Sequence, residues 1–225
     1  MSTATHNSGD DFIAPPCDEQ IDVVYEDAQL LVINKPSGLL SLSGKNPANK
    51  DSVHHRMVQS HPTALMVHRL DFGTSGLLLL ALNKSVNAQL CAQFQARTVT
   101  KTYIALLQGH LHEPAGVIDY PIAKDKSHFP YQKICSLSGK PAQSRYQLLQ
   151  HEGKNSRVAF EPMTGRTHQL RIHSREFGHP ILGCDLYHAH GSQHQAARLL
   201  LHASELAFDH PLTGQRLHLR SPCPF

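Results

Sequence analysis

The sequence contains no tryptophan and is poor in aromatic and charged residues. Of its 225 residues, 6% are aromatic and 17% are Asp, Glu, Lys or Arg, against a typical charged fraction of about 25% in soluble domains. The longest strongly apolar run, at residues 77–82, is far shorter than the roughly 20 residues that a membrane-spanning helix needs. Residues 1–11 lack the basic segment and apolar stretch of a secretory signal. We therefore expect neither an integral membrane protein nor a secreted one.

Cysteine is scarce, and its spacing excludes several classes of site. The five cysteines are odd in number, and no two of them form a Cys-x-x-Cys pair. This pattern disfavours a disulfide framework or a cysteine zinc site and indicates a reducing cytoplasm. The net charge of +3 permits a polyanionic partner without establishing one.

Sequence motifs for nucleotides and metals are also missing. The glycines form neither a G-x-x-x-x-G-K-[ST] loop nor a G-x-G-x-x-G loop, which disfavours nucleotide hydrolysis and dinucleotide binding. His188, His190 and His194 lie in one segment, with only Asp185 nearby as a further metal ligand. We expect no cofactor and no metal. A histidine-rich metal-binding protein is an alternative that rests on composition alone.

Short apolar runs between turn residues predict an α+β protein with a mixed or antiparallel central sheet and flanking helices. We predict a loose tail at residues 1–19, a single domain at residues 20–225, and loops or an irregular excursion at residues 112–142, which are rich in Pro, Gly and Lys. Ser85 is the predicted N-cap of the second helix. The predicted strands are residues 21–25, 30–34, 76–82, 103–107, 143–149, 157–161, 205–208 and 216–219, and the predicted helices are residues 52–59, 85–97 and 167–178.

Two segments carry candidate chemistry. Residues 68–76 read HRLDFGTSG, which sets the acid Asp71 beside a basic residue, Arg69, in a Gly- and Ser-rich loop before a buried strand. A rigid scaffold can hold a reactive carboxylate at such a position, although local composition alone favours a turn with a surface ion pair. Residues 164–173 read TGRTHQLRIH, where Arg166 is a candidate phosphate contact at a helix start. Taken alone, the second segment is more typical of a solvated face.

Together these segments resemble the signatures of the RluA-type pseudouridine synthases. HRLD at residues 68–71 and TSGLL at residues 74–78 match one family motif, and GRTHQLRIH at residues 165–173 matches another. The resemblance covers residues 21–222. Five shorter matches occur in the family's order, namely YED at residues 25–27, VINKPSGL at 32–39, KTY at 101–103, GHPILG at 178–183 and RLLLHA at 198–203.

The resemblance implies the family fold and a role for particular residues. Asp71 would be the catalytic carboxylate, Arg171 its ion-pair partner, and Tyr103 the aromatic residue that packs against the target base. Three roles for this carboxylate stay open: attack on C1′ of the target nucleotide's sugar, addition to C6 of its base, or abstraction of a proton from the sugar. The further implied RNA or base contacts are His68, Arg69, Arg166, Leu170 and Ile172, with Arg69 as a wedge or backbone clamp and the two apolar residues as walls for uracil.

The resemblance also implies a substrate. The reaction would convert uridine to pseudouridine in structured RNA, at a uridine in 23S ribosomal RNA and one in the anticodon loop of some tRNAs. We expect a cytoplasmic monomer with no membrane partner and without the S4-type RNA-binding domain that many relatives carry. Cys184, between Gly183 and Asp185, departs from the usual motif. The competing hypothesis is a non-catalytic RNA-binding or chaperone protein with the same fold.

Overall fold

The computed structural model describes residues 12–225, which contain twelve β-strands and three α-helices. The helices are α1 (Val53–Ser60), α2 (Lys84–Ala96) and α3 (Gln169–Glu176). The strands of the first half are β1 (Asp22–Glu26), β2 (Leu30–Lys35), β3 (Leu65–Met66), β4 (Ser75–Ala81), β5 (Thr100–Gln108) and β6 (Ala115–Asp119). Those of the second half are β7 (Ile122–Lys124), β8 (Gln132–Ile134), β9 (Gln143–Glu152), β10 (Asn155–Pro162), β11 (Leu201–Asp209) and β12 (Arg216–Arg220).

Ten of these strands form one mixed sheet. Its order is β1-β2-β4-β11-β5-β10-β9-β6, with β3 beside β4 and β12 beside β11, while β7 and β8 form a separate hairpin. Only the pair of β4 and β11 is parallel. The predicted α+β class, with a mixed sheet and flanking helices, is confirmed.

The apolar run in β4 is buried on both faces of the sheet, as predicted. Leu77 and Leu79 pack with Val86 and Leu90 of α2 on one face. Leu78 and Leu80 point the other way, because side chains alternate along a strand, and they pack against α1. A third cluster joins α3 to β5 and β10. These layers make the start of β4 a rigid, central position.

Glycine is required where β4 meets β11. Gly76 has φ +111°, and a Cβ atom built there would lie 2.3 Å from the carbonyl oxygen of Ala203. The two residues are directly paired in the parallel register. The close approach therefore depends on the absence of a side chain.

Two predicted features of the secondary structure are wrong. Residues 112–142 contain β6, β7 and β8 rather than loops alone; these strands are three to five residues long and obtain their pairing from distant or turn-linked partners, which local composition does not reveal. The N-cap of α2 is Asn83 rather than Ser85, since the side chain of Asn83 accepts a hydrogen bond from the backbone N–H of Val86.

The predicted tail is partly outside the described residues. Residues 12–19 have no helix or strand, yet they are attached to the domain by hydrogen bonds. Asn49 bonds to the backbone of Phe12 and Ala14, and Arg56 donates to the carbonyls of Cys17 and Glu19. Over this stretch the chain is therefore anchored rather than loose.

In the described residues, no helix has both the length and the apolar character needed to cross a bilayer.

Replacing Gly76 by alanine is expected to destabilise the protein by about 3 kcal/mol or more, because the new Cβ would overlap the backbone of β11. Gly153→Ala is the matched control. Gly153 also has a positive φ, of +59°, but open space around it, so its replacement should cost only about 1–2 kcal/mol of backbone strain. Urea unfolding measures both values. Equal losses would show that the approach of β11 is not tight.

Candidate active site

A pocket of about 310 Å³ opens where the loop before β4 faces the start of α3. Its walls come from five parts of the chain: the loop at residues 68–74, Phe94 of α2, β5, residues 162–171, and Leu201 of β11. Of the predicted site residues, seven line the pocket, namely His68, Arg69, Asp71, Tyr103, Arg166, Leu170 and Arg171. The fold therefore brings together motifs that are up to about a hundred residues apart in sequence.

An ion pair between Asp71 and Arg171 lies in this pocket. Nη1 of Arg171 donates to Oδ2 of Asp71 at 3.4 Å, and the two side chains are 5% and 24% exposed, respectively. Arg171 also donates to Asp185 and, at 3.5 Å, to the sulfur of Cys184. Burial opposes the charged form of Arg171, but Cys184, Asp71 and Asp185 raise its pKa above the ordinary value. The guanidinium is thus a permanently charged, oriented cation beside the Asp71 carboxylate.

The loop that carries Asp71 is attached to the segment after β2. The backbone N–H of Gly38 and the ammonium of Lys35 both donate to the carbonyl of Phe72, at 2.9 and 3.2 Å. On the other side of Asp71, the hydroxyl of Ser41 donates to the carbonyl of Leu70 at 2.7 Å. These bonds on both flanks restrict the backbone of Asp71.

Lys35 is a buried cation that the sequence did not single out. Its side chain is fully buried, and its ammonium donates to the carbonyls of Pro36, Leu39 and Phe72. Burial lowers its pKa to about 7, although Asp71 acts in the opposite direction. The only sequence signal was its place in the matched NKPSG stretch.

His168 and Tyr187 are further members of the site that residue-by-residue prediction missed. Nε2 of His168 lies 4.0 Å from Oδ1 of Asp71, and its Nδ1 lies 2.9 Å from the hydroxyl of Tyr187. Burial lowers the pKa of His168, which favours the neutral ring. The ring of Tyr187 also lies under the guanidinium of Arg171, 5.4 Å from centroid to Cζ. Tyr187 therefore supports both neighbours of Asp71.

Tyr103 forms a wall of the pocket from the centre of the sheet. It lies on β5, opposite Ala203 of β11 and Phe160 of β10. Burial, and to a lesser degree the charge of Asp71, raises the pKa of Tyr103. It therefore remains a neutral phenol at physiological pH, with an aromatic face and a hydroxyl donor available to a ligand.

The polar residues predicted to contact RNA differ in their freedom to do so. Arg69 is exposed at the mouth of the pocket, and Arg166 is half-buried, with its Nε bonded to the carbonyl of Pro141. His68 is held inside: its Nε2 accepts from the N–H of Leu79 at 3.0 Å, and its ring stacks on Phe94. Burial lowers the pKa of His68 to about 3, so it adds no positive charge.

One predicted pocket residue is wrongly placed. Leu170 lines the pocket, but Ile172 does not and belongs to the buried core between α3 and the sheet. Residues two apart on a helix point about 200° away from each other, so both cannot face one ligand. Ile172 is therefore a core residue rather than a wall for a base.

The histidine-rich segment shows no metal cluster. In residues 12–225, no three His, Cys, Asp or Glu side chains converge in a way that could hold an ion.

Comparison with known proteins identifies the class. The family model for RNA pseudouridylate synthases matches residues 29–176, so the chain belongs to this family. Among solved structures, human RNA pseudouridylate synthase domain containing 1 is similar, with a TM-score of 0.79 and 30% identity over 94% of this chain and 86% of that one. The chain is therefore an isomerase that converts uridine to pseudouridine in RNA.

Comparison with curated proteins shows which members of this family the chain resembles. The dual-specificity RNA pseudouridine synthase RluA of Yersinia pestis is 45% identical over 204 residues, which cover 90% of this chain and 99% of the relative. The RluA protein of Escherichia coli K12 is 41% identical over 212 residues, covering 94% of this chain and 97% of the relative. The similarity thus extends over nearly the whole length of each protein.

The stability contributed by Lys35 should rise with pH above neutrality. Its pKa is about 7 in the fold and about 10.4 in the unfolded chain, so between these values the unfolded state holds the extra proton. Linkage then makes the free energy of unfolding increase with pH, on the order of 1 kcal/mol per unit. We would measure urea unfolding of wild type and Lys35→Met at pH 7.5, 8.5 and 9.5. A constant difference between the two proteins would contradict this expectation.

Proposed function

We propose that the pocket binds a single uridine of the RNA and that Asp71 is the catalytic carboxylate. The observation that carries this proposal is the Asp71–Arg171 ion pair inside a pocket of about 310 Å³. That volume is at the lower end of ligand pockets, which span roughly 300–1,000 Å³. It suits one nucleoside and excludes a duplex, so the target must leave its stack before it reaches Asp71.

The isomerisation places clear demands on the carboxylate. The N1–C1′ bond breaks, the uracil turns, and C5 forms a bond to C1′; C5 loses a proton and N1 gains one. No electrons are transferred to another molecule. An ionised aspartate can serve as nucleophile or base for such a reaction without a further activator. Arg171 acts through Asp71: it keeps the carboxylate oriented and offsets its partial burial.

The other pocket residues are suited to contact the uracil base and the RNA around the flipped nucleotide. The ring of Tyr103 and the side chain of Leu170 offer apolar surface to uracil, and Tyr103 also has a hydroxyl near Asp71. Arg69, exposed at the mouth, suits the wedge or the backbone clamp that keeps the base flipped. Arg166 suits a phosphate contact.

We further propose that the substrates are a uridine of 23S ribosomal RNA and one of a tRNA anticodon loop. The relatives named dual-specificity RNA pseudouridine synthases support two RNA substrates, and a flipped uridine is reached most easily in a loop. We propose a monomer, and one that needs no cofactor, since the isomerisation transfers no electrons to another molecule. The cytoplasm is the proposed location, and the five free cysteines are consistent with it.

Asp71→Asn is expected to reduce turnover by roughly 10³-fold or more while leaving RNA affinity within a few fold, because the amide keeps the shape but is neither a nucleophile nor a base. The measurement is tritium release from RNA containing 5-tritiated uridine, since formation of the C5–C1′ bond expels this hydrogen. Ribosomal RNA fragments and tRNA transcripts would be tested separately. Substantial release by the variant would refute the assignment of Asp71.

Arg171→Ala should lower kcat by roughly 10²-fold with little change in KM, because the carboxylate loses its orienting partner while the surface contacts to RNA remain. Arg171→Lys should recover part of this loss, since it restores the charge without the fork of donors. Arg220→Ala is the control: this arginine is exposed on β12 and paired with Glu205. An Arg171→Ala enzyme with normal kcat would disprove the positioning role.

A further inference from the structure

A second cavity, of about 630 Å³, adjoins the active-site pocket. It lies between the C-terminal end of α2 and the first residues of β5 and β9. We propose that it binds the ribose–phosphate backbone of single-stranded RNA next to the target uridine, with Arg97, Lys101 and Arg145 contacting phosphates. This inference rests on the proposed function of the pocket beside it.

The two cavities share part of their walls, which gives the RNA chain a path. The six residues that line both are Phe94, Lys101, Pro162, Thr164, Gly165 and Arg166. A uridine flipped into the pocket stays joined to both of its neighbours through phosphodiester bonds. At least one of these phosphodiester links must therefore leave the pocket along one of its walls. The six shared residues form such a wall, and the second cavity begins there.

The charges of the second cavity suit a polyanion. Four of its lining residues are basic, Arg97, Lys101, Arg145 and Arg166, against the single carboxylate of Glu161. Within residues 12–225, no carboxylate oxygen lies within 4 Å of the charged groups of Arg97, Lys101 or Arg145. Several arginines elsewhere on the surface are paired, as in Arg56 with Asp51, Arg157 with Glu152, Arg216 with Asp209 and Arg220 with Glu205.

Lys101 occupies the boundary between the cavities. It is half-buried, and its ammonium lies 5.8 Å from the ring centroid of Phe94. Burial lowers its pKa, so its charge is incompletely compensated in the free protein. A phosphate at this boundary would supply the missing counter-charge.

Arg97 is placed at a backbone position that does not favour an arginine. It is the C-cap of α2 with φ +61°, in the left-handed region where glycine is usual. Its backbone N–H bonds to the carbonyls of Gln93 and Phe94, and glycine could make the same bonds with less strain. The side chain is therefore not needed for the helix end, and its charge projects from an exposed residue at the cavity.

This geometry allows a test that separates RNA binding from folding. Arg97→Gly removes the charge and relieves the backbone, so its melting temperature should stay equal or rise. Arg145→Gln, at an exposed position of β9, is an independent second variant. Lys154→Gln is the matched control, because Lys154 is exposed in the turn after β9, roughly 23 Å along the strand from Arg145.

The measurement is the Kd of the full-length protein for a fluorescently labelled tRNA anticodon stem-loop, determined by anisotropy at several salt concentrations. Each cavity variant should weaken binding about three- to tenfold at 0.1 M salt. Each should also reduce the slope of log affinity against log salt by about 0.7, the value for one lost contact to a single strand. The kcat at saturating RNA should stay within about twofold of wild type, and Lys154→Gln should behave as wild type.

Two results would overturn the inference: affinities and salt slopes of both cavity variants equal to those of Lys154→Gln, or no measurable binding of RNA by the wild type. Failure of the proposed function is recognised separately, as the absence of tritium release by the wild type from every RNA supplied. Binding that depends on Arg97 and Arg145 would still support the backbone site in that case.

Discussion

The contact between Asp71 and Arg171 is the interaction on which the site depends. The two residues are 100 positions apart, one in the loop before β4 and the other on α3. A guanidinium that is almost completely buried is costly unless carboxylates surround it, and Asp71 and Asp185 fulfil this need. The same requirement keeps the Asp71 carboxylate directed into the pocket. The catalytic geometry and the electrostatic stability of the interior are therefore satisfied by one arrangement.

The central sheet makes this arrangement rigid. The parallel contact of β4 with β11 is possible because Gly76 has no side chain, and it fixes where the loop before β4 leaves the sheet. Lys35 and Ser41 then hold the backbone on either side of Asp71. Around this fixed centre the charges differ: the buried arginine is paired with two carboxylates, whereas the basic residues of the adjoining cavity outnumber its one carboxylate, Glu161, by four to one. The paired centre suits chemistry on a base, and the unpaired rim suits a phosphate backbone.

Predictions from the sequence were wrong where a strand pairs with a distant partner or where helix geometry turns a side chain away from the site. Residues 112–142 contain no long apolar alternation, and β6 exists because β9 pairs with it across an intervening stretch of chain. His68, grouped with the RNA contacts, does line the pocket, and its Nε2 accepts a hydrogen bond from the backbone N–H of Leu79. Ile172 stands next to Arg171 in the motif, yet the helix turns it into the core. Neighbours in a motif share a function only when the local geometry points them to the same place.

The sequence by itself determined the buried strand β4, the three helices to within a few residues, and the motifs that contain Asp71, Tyr103 and Arg171. These features depend on local periodicity and on residue types that recur in one order, so they can be predicted without knowledge of the fold. Only the tertiary structure decided that Asp185 shares Arg171 and that His168 stands beside Asp71. It also decided that the ammonium of Lys35 is buried under the catalytic loop. Each of these facts is a distance between residues at least 14 positions apart in the chain, and such distances are set only when the sheet and its helices pack together.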